Sequence, residues 1–182
     1  MRNKNYYFFA ATLIPLTYGD PPPISSSSFR DLCHEHLNKD DLAYLKFCVY
    51  DPQTIVENSK QTGCTFIDLF LLHERTYILH LAALRARKLG RVNPNNKQNF
   101  DHSDLLNFAK KVIEIEDPFE AELCINKERW QFLDEQINLN YFEVKNIYCY
   151  LLKLQLLERK VLFDTSRGKD EYQKLYNFIR NQ

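Results

Sequence analysis

Residues 147–160 read IYCYLLKLQLLERK, and a helix built from them has no leucine-free side. With about 3.6 residues per turn, Leu151, Leu152, Leu154, Leu156 and Leu157 point in most directions. A surface helix shows one apolar stripe and one wet face, so a helix that is apolar all round must be buried all round. Few helices of a 182-residue chain can lie that deep, so the fold has to be arranged about this segment. Residues 66–89 carry a similar pattern, with Phe66, Ile67, Phe70, Leu71, Leu72, Ile78, Leu79, Leu81 and Leu84 spread round most of the wheel. Two such helices are expected to pack on each other, and short helices or another protein must cover what remains.

The rest of the chain is punctuated for helices. Ser28, Asn38 and Thr65 are expected N-caps. Asp51-Pro52 and Asp117-Pro118 each place a cap residue before a proline at the first helical position. Gly90 is expected to stop the helix over 66–89. The spacing predicts one helix over KDDLAYLKFCVY, one from Asp101 or Ser103 to Ile115, one from Pro118 to about Gln136, and one from Tyr141 to Phe163. INLN should turn, DTSRGKDE should form a loop, and EYQKLYNFIRN should make a last helix. The run Tyr6–Ile14 is too short for periodicity to decide and is expected as a short strand, ended by Pro15, Gly19 and Pro21-Pro22-Pro23. The expected fold class is therefore all-α, with two long central helices and a short N-terminal strand. The chain is expected to form one compact unit over 1–182, in which lobes 24–90 and 101–182 would be joined by the polar segment 91–100. Asp51-Pro52 with Phe66-Ile67-Asp68 echoes Asp117-Pro118 with Phe132-Leu133-Asp134. Duplicated lobes would produce that echo, and so would chance.

Composition narrows function. Lys and Arg number 24, as do Asp and Glu, and this balance lacks the basic excess of nucleic-acid binding. Five widely spaced cysteines without a CxxC read as reduced thiols in a cytoplasmic protein. The basic start and apolar run at the N-terminus lack a small-residue cleavage pattern and are too short to span a bilayer.

No G-x-S-x-G, Walker A, GxGxxG or paired Cys/His nucleophile motif occurs, and catalytic, cofactor and metal residues are expected to be none. Cys33-His34-Glu35-His36 supplies two ligands on one helix face, which is not a zinc site. His73 and His80 lie about 10.5 Å apart along a helix, with Thr76 and Arg87 on roughly the same face, and read as a polar stripe. Glu114, Glu116, Asp117, Glu120 and Glu122 fall in first or last turns, where caps and solvent account for them. Arg85, Arg87, Lys88 and Arg91 crowd one helix C-terminus and exceed what the helix dipole needs, so they are the first candidates for partner contact. The N-terminal aromatics Tyr6, Tyr7, Phe8 and Phe9 are the second.

The stretch ERWQFLDEQINLNYFEVKNIYCYLLKLQLLERK carries a resemblance. Trp130, Phe132, Leu133, Asp134 and Glu135, then Tyr141-Phe142, then the run Tyr150–Arg159, resemble a small uncharacterised family encoded inside bacterial V/A-type ATP synthase operons. The opening YYFFAATLIPLTYGDPPPIS is similar to that family's N-terminus. The resemblance implies a non-catalytic subunit of the rotary ATPase, with a helical style like the C (d) subunit that couples central shaft to membrane rotor ring. Its partners would be other subunits of that ATPase, and it would meet the membrane only through the complex. An assembly chaperone for the complex is the nearest alternative. An independent enzyme or ligand-binding domain, with a pocket around His73 and His80, is the alternative from another class.

Overall fold

The computed structural model describes residues 6–57, 61–91, 103–137 and 142–162. Among them every regular element is helical: α1 (Tyr7–Thr12), α2 (Ser26–His36), α3 (Lys39–Leu42), a 3-10 turn (Leu45–Phe47), α4 (Pro52–Glu57), α5 (Thr65–Lys88), α6 (Ser103–Glu114), α7 (Pro118–Gln136) and α8 (Val144–Leu162). The fold class is all-α, as expected. The turn expected after Ile137, and the loop and last helix expected beyond 163, lie outside the described residues.

The expected N-terminal strand is instead helix α1. No strand among the described residues could pair with it, whereas a helix satisfies its own backbone. Side chains then hold it in place. Phe9 is buried, with its ring centroid 5.8 Å from that of Phe29 and 4.7 Å from that of His36. The Tyr6 hydroxyl donates to the Asp41 carboxylate and accepts from the Asn38 amide. Burial first, and then the Asp41 carboxylate, pushes the Tyr6 phenol up to about 12.

Caps set the other helix starts, with two corrections. α2 is capped by Ser25, whose Oγ accepts from Ser28 N at 3.0 Å, so Ser28 lies inside the helix. The start is pinned from α8, because the Glu158 carboxylate accepts from both Ser26 N and Ser26 Oγ at 2.6 Å. α5 begins at Thr65 with Cys64 in the cap position. Here Asp68 turns back to accept from Thr62 N at 2.7 Å and Thr62 Oγ1 at 2.8 Å. The remaining caps form as read. Asn38 Oδ1 accepts from Asp40 N and Asp41 N, Asp51 Oδ2 from Thr54 N, and Asp117 Oδ1 from Phe119 N. KDDLAYLKFCVY is not one helix but α3 followed by the 3-10 turn. Side chains from elsewhere take carbonyls that a continuous helix would use: Arg30 donates to Leu45 O at 2.9 Å and Cys48 O at 2.8 Å, and Tyr148 donates to Asp41 O at 2.8 Å. Among the described residues the two copies of the internal echo fall on unlike elements. Asp51-Pro52 opens 6 helical residues and Asp117-Pro118 opens 19; Phe66-Ile67-Asp68 begins a helix, whereas Phe132-Leu133-Asp134 ends one.

The main core draws on residues from Phe9 to Leu157 and is centred on α8. Ile147, Tyr148, Cys149, Leu151, Leu152, Leu154, Leu156 and Leu157 are all buried, so α8 is buried all round. α2, α7, the start of α5 and the 3-10 turn cover it within the described chain. The second helix behaves differently. The first half of α5 enters the main core, while Tyr77, Leu81 and Leu84 join Phe108, Ala109, Val112 and Ile125 in a smaller core between α5, α6 and α7. The outer side of α5 stays wet, and Leu72 is 40% exposed. An apolar-rich wheel therefore meant burial on every side for α8 and a split allegiance for α5.

The cysteines follow this burial. Cys33, Cys48 and Cys149 are buried free thiols, and Cys64 and Cys124 are half-buried. Desolvation pushes the Cys33 and Cys149 thiols up to about 12, and raises those of Cys48 and Cys64. Because the thiolate is the nucleophile, Ellman's reagent at neutral pH should titrate at most Cys64 and Cys124 quickly in the native protein. All five cysteines should react after unfolding.

Candidate functional site

Among the described residues nothing pairs with the cations at the end of α5. Arg85, Arg87, Lys88 and Arg91 are all exposed, and none makes an ion pair with a described residue. The helix end closes without them: Gly90 sits at φ +66°, its N–H donates to Arg87 O at 3.1 Å, and Arg91 N donates to Ala86 O at 2.9 Å. This backbone cap satisfies the terminal carbonyls, which leaves the side-chain charges for another purpose. Leu89, 68% exposed, stands among them. The patch thus combines positive charge with an apolar contact point.

The N-terminal aromatics divide. Tyr6 and Phe9 are used inside the fold as described above. Phe8 is 86% exposed, and Tyr7 is half-exposed with its ring centroid 4.5 Å from that of Phe142. Phe8 and Tyr7 are therefore available to a partner, and Tyr6 and Phe9 are not.

Neither of the two pockets described among these residues is lined by His73 or His80. The His73 ring stacks on Phe132 at 3.9 Å, with Nε2 3.8 Å from Glu128 Oε1. His73 therefore lies in the seam between α5 and α7, whereas Arg87 is exposed. In the Cys33-His34-Glu35-His36 segment, Cys33 points into the core and His36 stacks on Phe9. No group of three His, Cys, Asp or Glu among the described residues could hold a metal ion. Glu114, Glu116, Asp117 and Glu120 are exposed around the α6–α7 turn, and Glu122 pairs with Arg159 at 3.1 Å.

Two features escaped the sequence reading. The first is a buried ion pair between α5 and α7. Glu74 is 1% exposed and Arg129 8%, and the guanidinium engages both carboxylate oxygens, with Nη2 at 2.7 Å and Nε at 2.9 and 3.1 Å. Burial opposes charge on Arg129, yet the adjacent Glu74 carboxylate outweighs it and holds the guanidinium above its ordinary pKa. The Tyr50 ring lies 4.7 Å from the guanidinium carbon. Desolvation, followed by the Glu74 charge, raises the Tyr50 phenol well above its usual range. The hydroxyls of Tyr50, Tyr77 and Thr76, and the side-chain amide of Asn126, are buried without a hydrogen-bond partner among the described residues. The spacing held the clue. Glu74 stands at the core register Phe70–Glu74–Tyr77–Leu81, and Arg129 at Ile125–Arg129–Leu133.

The second is a groove of about 330 Å³ between the end of α1, the segment after it, the end of α7 and α8. Leu13, Ile14, Leu16 and Ile137 contribute to its walls; Asn146, Tyr150 and Lys153 come from one face of α8. The Tyr150 hydroxyl donates to Ile14 O at 3.0 Å and ties the wall to that face. Lys153 donates to Asp134 Oδ1 at 2.5 Å, with Nζ 4.8 Å from the centroid of the Trp130 ring.

A family model described as protein of unknown function (DUF2764) matches residues 91–182. The chain belongs to the DUF2764 family. The matched part holds α6, α7 and the central helix α8, and it begins at Arg91, the last residue of the cationic patch. The α5 cations 85, 87 and 88, the N-terminal aromatics and the α1 wall of the groove lie ahead of it. No curated protein and no solved structure matches the chain.

Proposed function

We propose that this DUF2764 protein is a non-catalytic adaptor that works by docking to other proteins, and that its complex is a bacterial V/A-type ATPase, where it serves as a C-like subunit of the central stalk. The observation that carries the docking role is the cationic end of α5. Its charges are exposed, unpaired among the described residues and not needed to cap the helix. Assignment to the rotary ATPase rests on the resemblance of the 130–159 block. A part that passes torque has to resist bending, and a helix clamped on every side, as α8 is, supplies stiffness. In this reading the α5 end meets an acidic surface on a neighbouring subunit, with Leu89 at the centre of the contact. Tyr7 and Phe8 make a second, apolar contact.

Affinity purification of the tagged protein from its native cell tests the assignment. ATPase subunits should co-purify in stoichiometric amount, and their absence would remove the rotary-ATPase reading. Presence only in partly assembled complexes would make the protein an assembly chaperone instead. The triple change Arg85→Glu, Arg87→Glu and Lys88→Glu should lower recovery of the partner roughly tenfold or more, because like charges across an interface repel. Circular dichroism should stay unchanged, since these side chains are exposed. Full recovery of the complex would show that the α5 end is not the contact.

A further inference from the structure

The groove beside α1 has a chemistry that the docking role does not use. We propose that it binds a small amphipathic monocarboxylate, with the alkyl chain between the apolar walls and the carboxylate on the Lys153 ammonium. The inference does not rest on the adaptor reading. Lys153 is 6% exposed in the middle of the leucine-rich helix, a position where an ammonium is costly unless it is paired and hydrogen-bonded. Its partners among the described residues fill only part of its capacity. An ammonium carries three donors; Asp134 takes one, and the Trp130 ring offers a π face to another. The Lys153 side chain also lines the groove, so a ligand oxygen that reaches its ammonium would meet a nearly buried cation with one donor left over among the described residues.

The shape and sign of the site select the ligand class. Leu13, Ile14, Leu16, Ile137 and Ile147 make the lining predominantly apolar, and this surface rewards an alkyl chain by the area it removes from water. Asn146, Tyr150 and Lys153 follow one another at i, i+4 and i+7 on α8, which places them along one face. The polar end of the ligand therefore belongs at α8, and its chain along the α1 side. A volume of about 330 Å³ lies at the small end of ligand pockets, which suits a medium-chain acid. One ammonium already shared with a carboxylate favours a monoanion over a phosphate dianion. The Asp134 side chain is 53% exposed, so its own charge remains partly solvated while a second carboxylate takes the remaining donor.

Trp130 is the only tryptophan in the chain and lies beside the Lys153 ammonium, so its fluorescence reports on the site. Decanoate titrated into the full-length protein should change that fluorescence saturably, with one site by calorimetry. Decanol, which keeps the chain and lacks the charge, should bind at least about tenfold more weakly, the scale of one charge-assisted hydrogen bond. Lys153→Met should bring decanoate down to the affinity of decanol and leave decanol binding unchanged, so that decanol serves as the control for folding. Ala10→Phe, which enlarges a lining side chain, should remove both. Absence of saturable decanoate binding would overturn the proposal. So would equal affinity for decanol in the unaltered protein, or undiminished binding after Ala10→Phe.

Discussion

Replacing Arg129 by Met should destabilise the protein by about 3–5 kcal/mol, the scale for removing one partner of a buried ion pair. The change leaves the Glu74 carboxylate 1% exposed with no cation against it, and it removes the guanidinium from the Tyr50 ring. Urea unfolding followed by circular dichroism measures the loss. The double change Glu74→Leu with Arg129→Met should recover most of it, because two apolar side chains in that space carry no desolvation penalty. Such a recovery would show that the pair contributes little net stability over well-packed apolar side chains. A cost below about 1 kcal/mol for Arg129→Met would mean that Glu74 finds water or another donor in solution.

The parts of this fold that could be read from sequence are those set by neighbours along the chain. Asp51-Pro52, Asp117-Pro118, Asn38 and Gly90 each act within a few residues of themselves, and each does what its chemistry predicts. Most of the readings that failed involve a partner far away. Glu158 fixes the start of α2 from 132 residues further on. Arg30 and Tyr148 interrupt the helix expected after Asn38. The N-terminal run becomes α1 because Phe29, His36 and Asp41 receive its aromatics. The candidate site divides in the same way. A cationic helix end is a local pattern and was visible; which aromatics remain exposed depends on packing and was not. Glu74, Arg129 and Lys153 were legible only as charges standing at apolar register positions. That signal marks an interior charge without naming its partner, since Glu74 and Arg129 are 55 residues apart.

An alanine scan of the two helices that differ most in environment tests the architecture itself. Leu151, Leu152, Leu154 and Leu157 of α8 lie at different angles round the helix, and all four are buried. Each Leu→Ala change should cost about 2–5 kcal/mol, the range for cavities in a packed core, with no silent face. In α6, by contrast, Val112 is buried beside Ala109, whereas Asn107 and Lys110 are exposed. Val112→Ala should be costly, and alanine at 107 or 110 should fall within about 0.5 kcal/mol of the unaltered protein. A flat profile in α8 and a periodic one in α6 would show that the chain's own helices cover α8. That outcome removes the need for a partner along the strut and leaves docking to its exposed ends and patches. If instead one α8 position proves nearly silent in the isolated protein and costly only within a complex, the covering on that side is completed by a partner, and the docking surface moves from the α5 end to the strut.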